Sequence, residues 1–282
     1  MKKHVGRTIF ICLALFFMYA PILILTVYSF TDATNIGAIR GFSLHNYVTL
    51  FTTPELADMI WGSLLLAIGS AVIATILGTM GAIGAFYSKH RMQAAYSAIN
   101  QIPVVNADVV TGFSMCILLV IVLGISKDTY VPLVIGHVVL SAPFVYLSVT
   151  PKLKQMDPSL YEAAMDLGAS PAYALRKVVI PQIASGILSG FAMAITLSLD
   201  DYFIATYTKP ATFDTISTYV VNATKGSQTQ IKTALWALST IIFLIVLVIV
   251  AGMNIAANKR EKEQSSDWNA ALAHDGKDGV HA

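Results

Sequence analysis

The sequence predicts an all-α membrane protein, a bundle of six transmembrane helices. Three observations carry that prediction. Of the 282 residues, 56% are hydrophobic and only 12% charged, with a mean hydropathy of +0.68; a water-soluble chain carries about a quarter charged residues. The apolar residues fall into six runs, near 9–30, 62–86, 102–125, 131–150, 186–206 and 234–256, each close to the roughly 20 residues needed to cross a bilayer. The basic residues are also segregated. If both termini face the cytoplasm, 13 of the 18 Lys and Arg fall on the inner side and 5 on the outer, the bias expected of inner segments. This composition excludes a soluble enzyme, a nucleic-acid binder and a disordered chain.

The first run follows Lys2, Lys3 and Arg7. It is longer than a signal-peptide core and TVYSFTDAT offers no small-x-small cleavage site, so it is expected to be a retained helix with Pro21 inside it. Residues 1–56 then form an N-terminal transmembrane helix and outer loop, 57–256 the transmembrane core, and 257–282 a polar cytoplasmic tail. In the second run GTMGAIGA places Gly78, Gly81, Ala82, Gly84 and Ala85 where helices can approach closely. Cys12 and Cys116 lie in apolar runs; two such cysteines fit neither a disulfide framework nor a metal site, and no cofactor or metal is expected in this chain.

Ionisable groups inside spans face a bundle interior or a wet path. Asp108, His137, Asp200 and Asp201 stand out, and no Lys or Arg lies well inside a span to neutralise the acids. An anionic lining attracts cations. On a continuous fifth helix, Asp200 shares a face with Thr196, Phe203, Ile204 and Tyr207, a surface able to hold an alkylammonium by charge and cation–π contact. Asp201 would turn away, to cap or pair at a helix interface, and His137 would make an interhelical hydrogen bond. Counted along straight helices at about 1.5 Å per residue, Asp108 and Asp200 would sit at different depths.

The segment between the fourth and fifth runs, within 151–185, is amphipathic and strongly punctuated. Asp157-Pro158 can start a helix whose apolar side holds Leu160, Ala163, Ala164 and Leu167. Gly168 supplies a left-handed stop. Ser170-Pro171 caps a second short helix, 171–179, expected to end at Pro181. By physics alone such a helix–turn–helix either docks a partner or lies unpartnered at the interface.

Glu162-Ala163-Ala164, three residues, Gly168, nine residues, Val178, one residue and Ile180-Pro181 resemble the EAA loop of ABC importer permeases, EAA-x3-G-x9-I-x-L-P. The resemblance implies a type I (MetI-like) permease bundle in a bacterial cytoplasmic membrane. It also implies a coupling surface at Glu162, Ala163, Ala164, Asp166, Gly168, Ala169, Ser170 and Pro171 seated in an ATPase subunit. Implied partners are two copies of that ATPase, a second permease, an extracytoplasmic substrate-binding protein and the lipid bilayer. The chain itself has no G-x-x-x-x-G-K-[ST] phosphate cradle, HExxH or GxSxG, so ATP-Mg would be bound by the partner and this subunit would be non-catalytic.

NADVVTGFSM, GHVVLSAPFVYLSV, YEAAMDLGAS and TLSLDDYFIATY further resemble the spermidine/putrescine branch, of the PotC type. That resemblance implies polyamine passage past Asp108, Asp200 and Asp201, with Thr196, Phe203 and Tyr207 beside them. Two positions depart from the branch: Ala107 stands where a proline is usual, and Asn46-Tyr47 where Trp-Tyr is frequent. A permease for another solute and a secondary transporter remain the competing readings, as do spermidine against putrescine and a homodimeric against a heterodimeric pore.

Overall fold

The computed structural model describes residues 2–32, 41–225, 233–244 and 247. Described secondary structure is helical, with one isolated antiparallel bridge, Thr31–Phe42. The chain divides into two units, Met1–Thr53 with Gln228–Ala282, and Pro54–Ser227.

In the first unit α1 (Lys2–Ser29) is a long apolar helix with Pro21 inside it, its large side chains mostly exposed. It ends where Asn46 of α2 (His45–Thr52) donates its buried amide to the carbonyls of Ser29 (3.0 Å) and Thr31 (3.1 Å). Tyr47 closes the same corner, its hydroxyl 2.9 Å from Ser29 Oγ and its ring 5.1 Å from that of Phe30. Asn46 therefore satisfies carbonyls that the helix end would leave unpaired. The last described helix, α12 (Thr233–Leu244), covers the start of the expected sixth span, and Trp236 packs edge-on to Tyr28 at 5.7 Å. Apart from Leu247, the rest of that span and the tail 257–282 lie outside the described residues.

The second unit is built on α3 (Pro54–Phe86), α6 (Val131–Gln155) and α9 (Ile180–Asp200), which pack together around Ala71, Ala82, Val145, Val149, Leu153, Ile183 and Ala194. Small residues set the spacing. A Cβ on Gly78 would come within 2.7 Å of the Ala142 carbonyl and of Val145 Cβ. Ala82 and Ala85 are buried as expected, whereas nothing lies within 4 Å of a Cβ at Gly84.

Four described helices are long and apolar enough to cross a membrane: Arg7–Ser29, Pro54–Phe86, Val131–Gln155 and Pro171–Asp200. A fifth candidate is broken. The expected span 102–125 is α4 (His90–Val105) and α5 (Asp108–Cys116, continued by a π-helical segment Ile117–Val122), meeting at 101°. Pro103 is tolerated inside α4; the chain turns at Asn106 and Ala107, both extended. The Asn106 amide donates to Thr111 Oγ1 (3.0 Å), a local polar alternative to helix continuation.

The expected span 186–206 is also interrupted. It starts earlier, at Ile180, and stops at Asp200; Asp201 is extended and α10 (Phe203–Thr208) begins anew. α11 (Ile216–Lys225) follows, held by Ile216 N–H to Ser63 Oγ (2.8 Å) and Ser217 Oγ to the Leu199 carbonyl (2.7 Å). At the other end of α9, Pro181 does not terminate the preceding helix. α7 (Ser159–Asp166) and α8 (Pro171–Ala174) are distinct, but α8 runs through a π-helical segment, Leu175–Val179, straight into α9. The wider π turn accommodates a proline whose ring an α-helical turn would press against the preceding carbonyl.

Candidate functional site

The two breaks bring the acidic residues together. Asp108 opens α5, where the helix dipole favours a carboxylate. Asp200 closes α9 and Asp201 sits in the break after it. All three line one cavity of about 410 Å³, together with Phe144, Tyr202 and Phe203. Among the described residues, no Lys or Arg lines it. Tyr202 and Phe203 meet edge-on at 5.2 Å, giving the carboxylates an aromatic wall. The straight-helix count that set Asp108 and Asp200 apart is corrected: the chain bends at Asn106–Ala107, and Asp108 lines the same cavity as Asp200.

The single-face expectation for Asp200 is corrected where α9 stops: Asp201 is extended, so Phe203, Ile204 and Tyr207 on α10 do not continue the face that Asp200 shares with Thr196. Thr196 lies one turn below, donates to the Ala192 carbonyl (3.0 Å) and lines a separate recess of about 480 Å³ with Ser148, Ser189 and Met193. Tyr207, on α10, packs against Phe113 at 5.8 Å and does not line the acidic cavity. Phe203 does. Phe144 borders both recesses.

Asp201 and Asp200 part company as their spacing suggested. Asp200 is exposed, whereas Asp201 is buried. Asp201 accepts N–H bonds from Ile204 (Oδ1, 3.2 Å) and Ala205 (Oδ2, 2.7 Å), satisfying the open first turn of α10. α10 is clamped between two glycines: a Cβ on Gly112 of α5 would meet Ile204 Cα at 3.0 Å, and one on Gly136 of α6 would meet Ile204 Cγ2 at 2.6 Å. The expected interhelical bond of His137 is present, Nδ1 to Ser198 Oγ at 2.8 Å. Ser70, 3.2 Å from Ser198 Oγ, escaped sequence reasoning; a lone serine in an apolar helix carries no signal of its partner 128 residues away.

The second feature is the loop joining α6 to α9. Asp157 Oδ1 accepts from Ser159 N–H (3.0 Å), and the Ser159 backbone and hydroxyl hold this carboxyl below its ordinary range. Glu162 stands in the first turn of α7, exposed. Gly168 has φ +84°. Its N–H donates to the Met165 carbonyl (2.9 Å) and the Ala169 N–H to the Ala164 carbonyl (3.1 Å), the paired bonds of a Schellman stop. Ser170 Oγ accepts from Tyr173 N–H (3.4 Å), starting α8. Ala164, Leu167, Gly168, Ala169, Ser170 and Tyr173 line an open recess of about 490 Å³, and Leu167 is 90% exposed. α7 is tied back to the end of α3 by Tyr161 against Tyr87 (5.1 Å); burial, then Tyr161, raise the Tyr87 hydroxyl above its ordinary value. Asp166 is exposed at the end of α7, and Pro171 is the first residue of α8.

Compared with known proteins, residues 2–262 match the family of binding-protein-dependent transport system inner membrane components. The chain belongs to that family. It is an ABC importer permease, a non-catalytic subunit of a membrane transport system. Among characterised relatives, the permease is 28% identical over 252 residues to the spermidine/putrescine transport system permease protein PotC of Escherichia coli K12, covering 89% of this chain and 93% of that protein. It is 28% identical over 259 residues to PotC of Haemophilus influenzae (92% and 99% covered). It is 32% identical over 206 residues to the putrescine transport system permease protein PotI of E. coli K12 (71% and 73%).

Solved structures agree on the fold. A chain of a bacterial ABC transporter that imports the acidic polysaccharide alginate superposes with TM-score 0.67 at 17% identity, covering 88% of the permease and 94% of that chain. A chain of the inward-facing MetNI methionine transporter gives 0.55 at 18% identity (71% and 94%). The permease thus has the all-helical fold of MetI-like importer subunits.

Proposed function

We propose that this permease forms half of an ATP-driven import path for polyamines. The carrying observation is the convergence of Asp108, Asp200 and Asp201 on one aromatic-walled cavity with no basic residue among the described residues of its lining. Such a lining favours an extended polycation, whose separated ammonium groups can meet separated carboxylates while its methylene segments lie against Tyr202 and Phe203. The similarity to the PotC and PotI permeases of spermidine/putrescine and putrescine transport systems supports the same cargo.

In this reading six helices span a bacterial cytoplasmic membrane, with both termini and the 156–180 loop on the cytoplasmic side, as the distribution of basic residues suggests. Two ATPase subunits bind ATP-Mg and close on each other. The recess around Leu167, with Glu162, Ala163, Ala164 and Asp166 on α7 and the 168–171 turn beside it, is where each permease takes up that movement. Because α8 runs without a break into α9, a push on the loop moves the helix that ends at Asp200. The cavity is exposed outward to receive cargo from an extracytoplasmic binding protein, then inward as hydrolysis resets the complex.

The test is co-purification with candidate ATPase and permease subunits, followed by uptake of labelled spermidine and putrescine in vesicles. ATP-dependent polyamine uptake is expected. Uptake by this chain alone on an ion gradient, or transport only of solutes insensitive to neutralising Asp108 and Asp200, contradicts the proposal.

A further inference from the structure

Behind the acidic cavity a string of buried side chains crosses the core. His137 of α6 is fully buried. Its Nδ1 lies 2.8 Å from Ser198 Oγ on α9, and Ser198 Oγ lies 3.2 Å from Ser70 Oγ on α3. On the opposite edge of the ring, Nε2 faces Asp201 Oδ2 across 3.7 Å and has no hydrogen-bond partner.

A neutral imidazole offers one donor and one acceptor, so two tautomers compete. With the proton on Nδ1, the ring donates to Ser198 and turns the bare lone pair of Nε2 toward a carboxylate oxygen. Two electron-rich atoms then face each other in a buried site, where the repulsion is poorly screened. With the proton on Nε2, its N–H dipole points at the carboxylate and Nδ1 accepts the Ser198 hydroxyl proton. Ser198 then has lone pairs free for the Ser70 hydroxyl. Ser198 then donates to Nδ1 and the Nε2–H dipole faces Asp201 across 3.7 Å, while the Ser70 hydroxyl lies within reach of both Ser198 Oγ (3.2 Å) and the Ala67 carbonyl (3.3 Å).

We infer that His137, as the Nε2–H tautomer, is a positioning residue for Asp201. Asp201 Oδ2 faces His137 and takes the Ala205 N–H; Oδ1 takes that of Ile204. Both oxygens are thus engaged by protein. Asp201 contributes its charge to the cavity from a fixed place, and direct contact with a cation falls to Asp200 and Asp108. The string ties that fixed charge to α3, α6 and α9. This inference rests on the acidic cavity as the cargo site, and deepens that assignment.

Two measurements on the assembled permease–ATPase complex in lipid test it. The first needs no cargo: solid-state NMR of complex labelled with 15N-histidine, with the His137 signals identified by their loss in His137→Gln. An unprotonated Nδ1 and protonated Nε2 are expected; the reverse tautomer overturns the inference. The second is uptake of labelled spermidine with binding protein in excess. His137→Leu should raise the half-saturating concentration several-fold, as expected when an N–H dipole facing a poorly screened carboxylate is lost, with cargo-free ATP hydrolysis unchanged. His137→Gln, whose amide N–H reaches the place of Nε2, should restore most of that loss, and His137→Asn, which reaches only the place of Nδ1, should not. Should the leucine variant fail to assemble, the Gln–Asn comparison still decides. Equal losses in Gln and Asn, or a parallel fall in ATP hydrolysis, reduce His137 to a packing role. A wild-type complex that carries no polyamine sinks the cargo proposal while the tautomer measurement still decides the role of His137.

Discussion

Asp201 Oδ2 lies 2.7 Å from the backbone nitrogen of Ala205, so one carboxylate both starts α10 and adds charge to the cavity. The two roles separate by substitution. Asparagine is as good a helix-start acceptor as aspartate, and alanine is not. Asp201→Ala should destabilise the complex by about 1 kcal/mol, read as a lowered thermal midpoint. Asp201→Asn keeps one of the two acceptors but turns its NH2 toward the other N–H, so it should retain part of that midpoint while weakening cation uptake. Equal loss of midpoint in both would show that the charge, not the cap, sustains this turn.

The two glycines that clamp Ile204 make different contacts. A Cβ at position 136 would strike Ile204 Cγ2, whereas one at 112 would strike the Ile204 backbone. Each glycine-to-alanine change should cost about 1–3 kcal/mol from overpacking. In a double-mutant cycle on thermal stability, Ile204→Ala should recover part of the loss caused by Gly136→Ala and none of that caused by Gly112→Ala. Recovery in both would mean that the Ile204 backbone yields.

Gly168 owes its importance to backbone conformation. No atom lies within 4 Å of a Cβ built there, yet φ is +84°. A left-handed conformation costs an ordinary residue about 1–2 kcal/mol. Asparagine tolerates it and β-branched residues resist it. Gly168→Val should reduce the ATPase that co-purifies with the permease, while Gly168→Asn should retain it. Loss in both variants would point to a partner surface that fills the open space instead.

The recess boundaries separate Thr196 from the acids. Asp108→Asn and Asp200→Asn should each depress polyamine uptake, and Thr196→Ala should leave it near the wild-type level. Initial uptake rates at subsaturating cargo, normalised to assembled complex, provide the check. A Thr196 effect as large as that of Asp200 would extend the cargo site into the neighbouring recess.

Much of this was legible in the sequence because it depends on local rules. Apolar run length marked the long helices, and Gly168 marked its own left-handed stop. Ser170 and the polarity of the 151–185 segment marked the helix–turn–helix. His137 in an apolar run implied a buried partner, and Ser198 is that partner. The breaks were harder to read. Asn106 and Asp201 each exchange helix continuation for side-chain bonds to nearby groups, and the apolar residues flanking them hide the exchange. Those two breaks decide that Asp108 joins Asp200 and that Tyr207 does not. Ser70 and Asn46 were missed for a related reason. Their partners are set by packing and chain reversal, which hydrophobic periodicity does not encode.

The central claim is an acid-lined cavity that passes polycations under the drive of a partner ATPase. It is tested most directly by ATP-dependent uptake of labelled spermidine into vesicles holding the assembled complex, wild type against Asp108→Asn/Asp200→Asn. Rapid uptake by the wild type and its loss in the double variant, with assembly and cargo-free ATP hydrolysis retained, is the predicted result. Undiminished uptake by the double variant would contradict it.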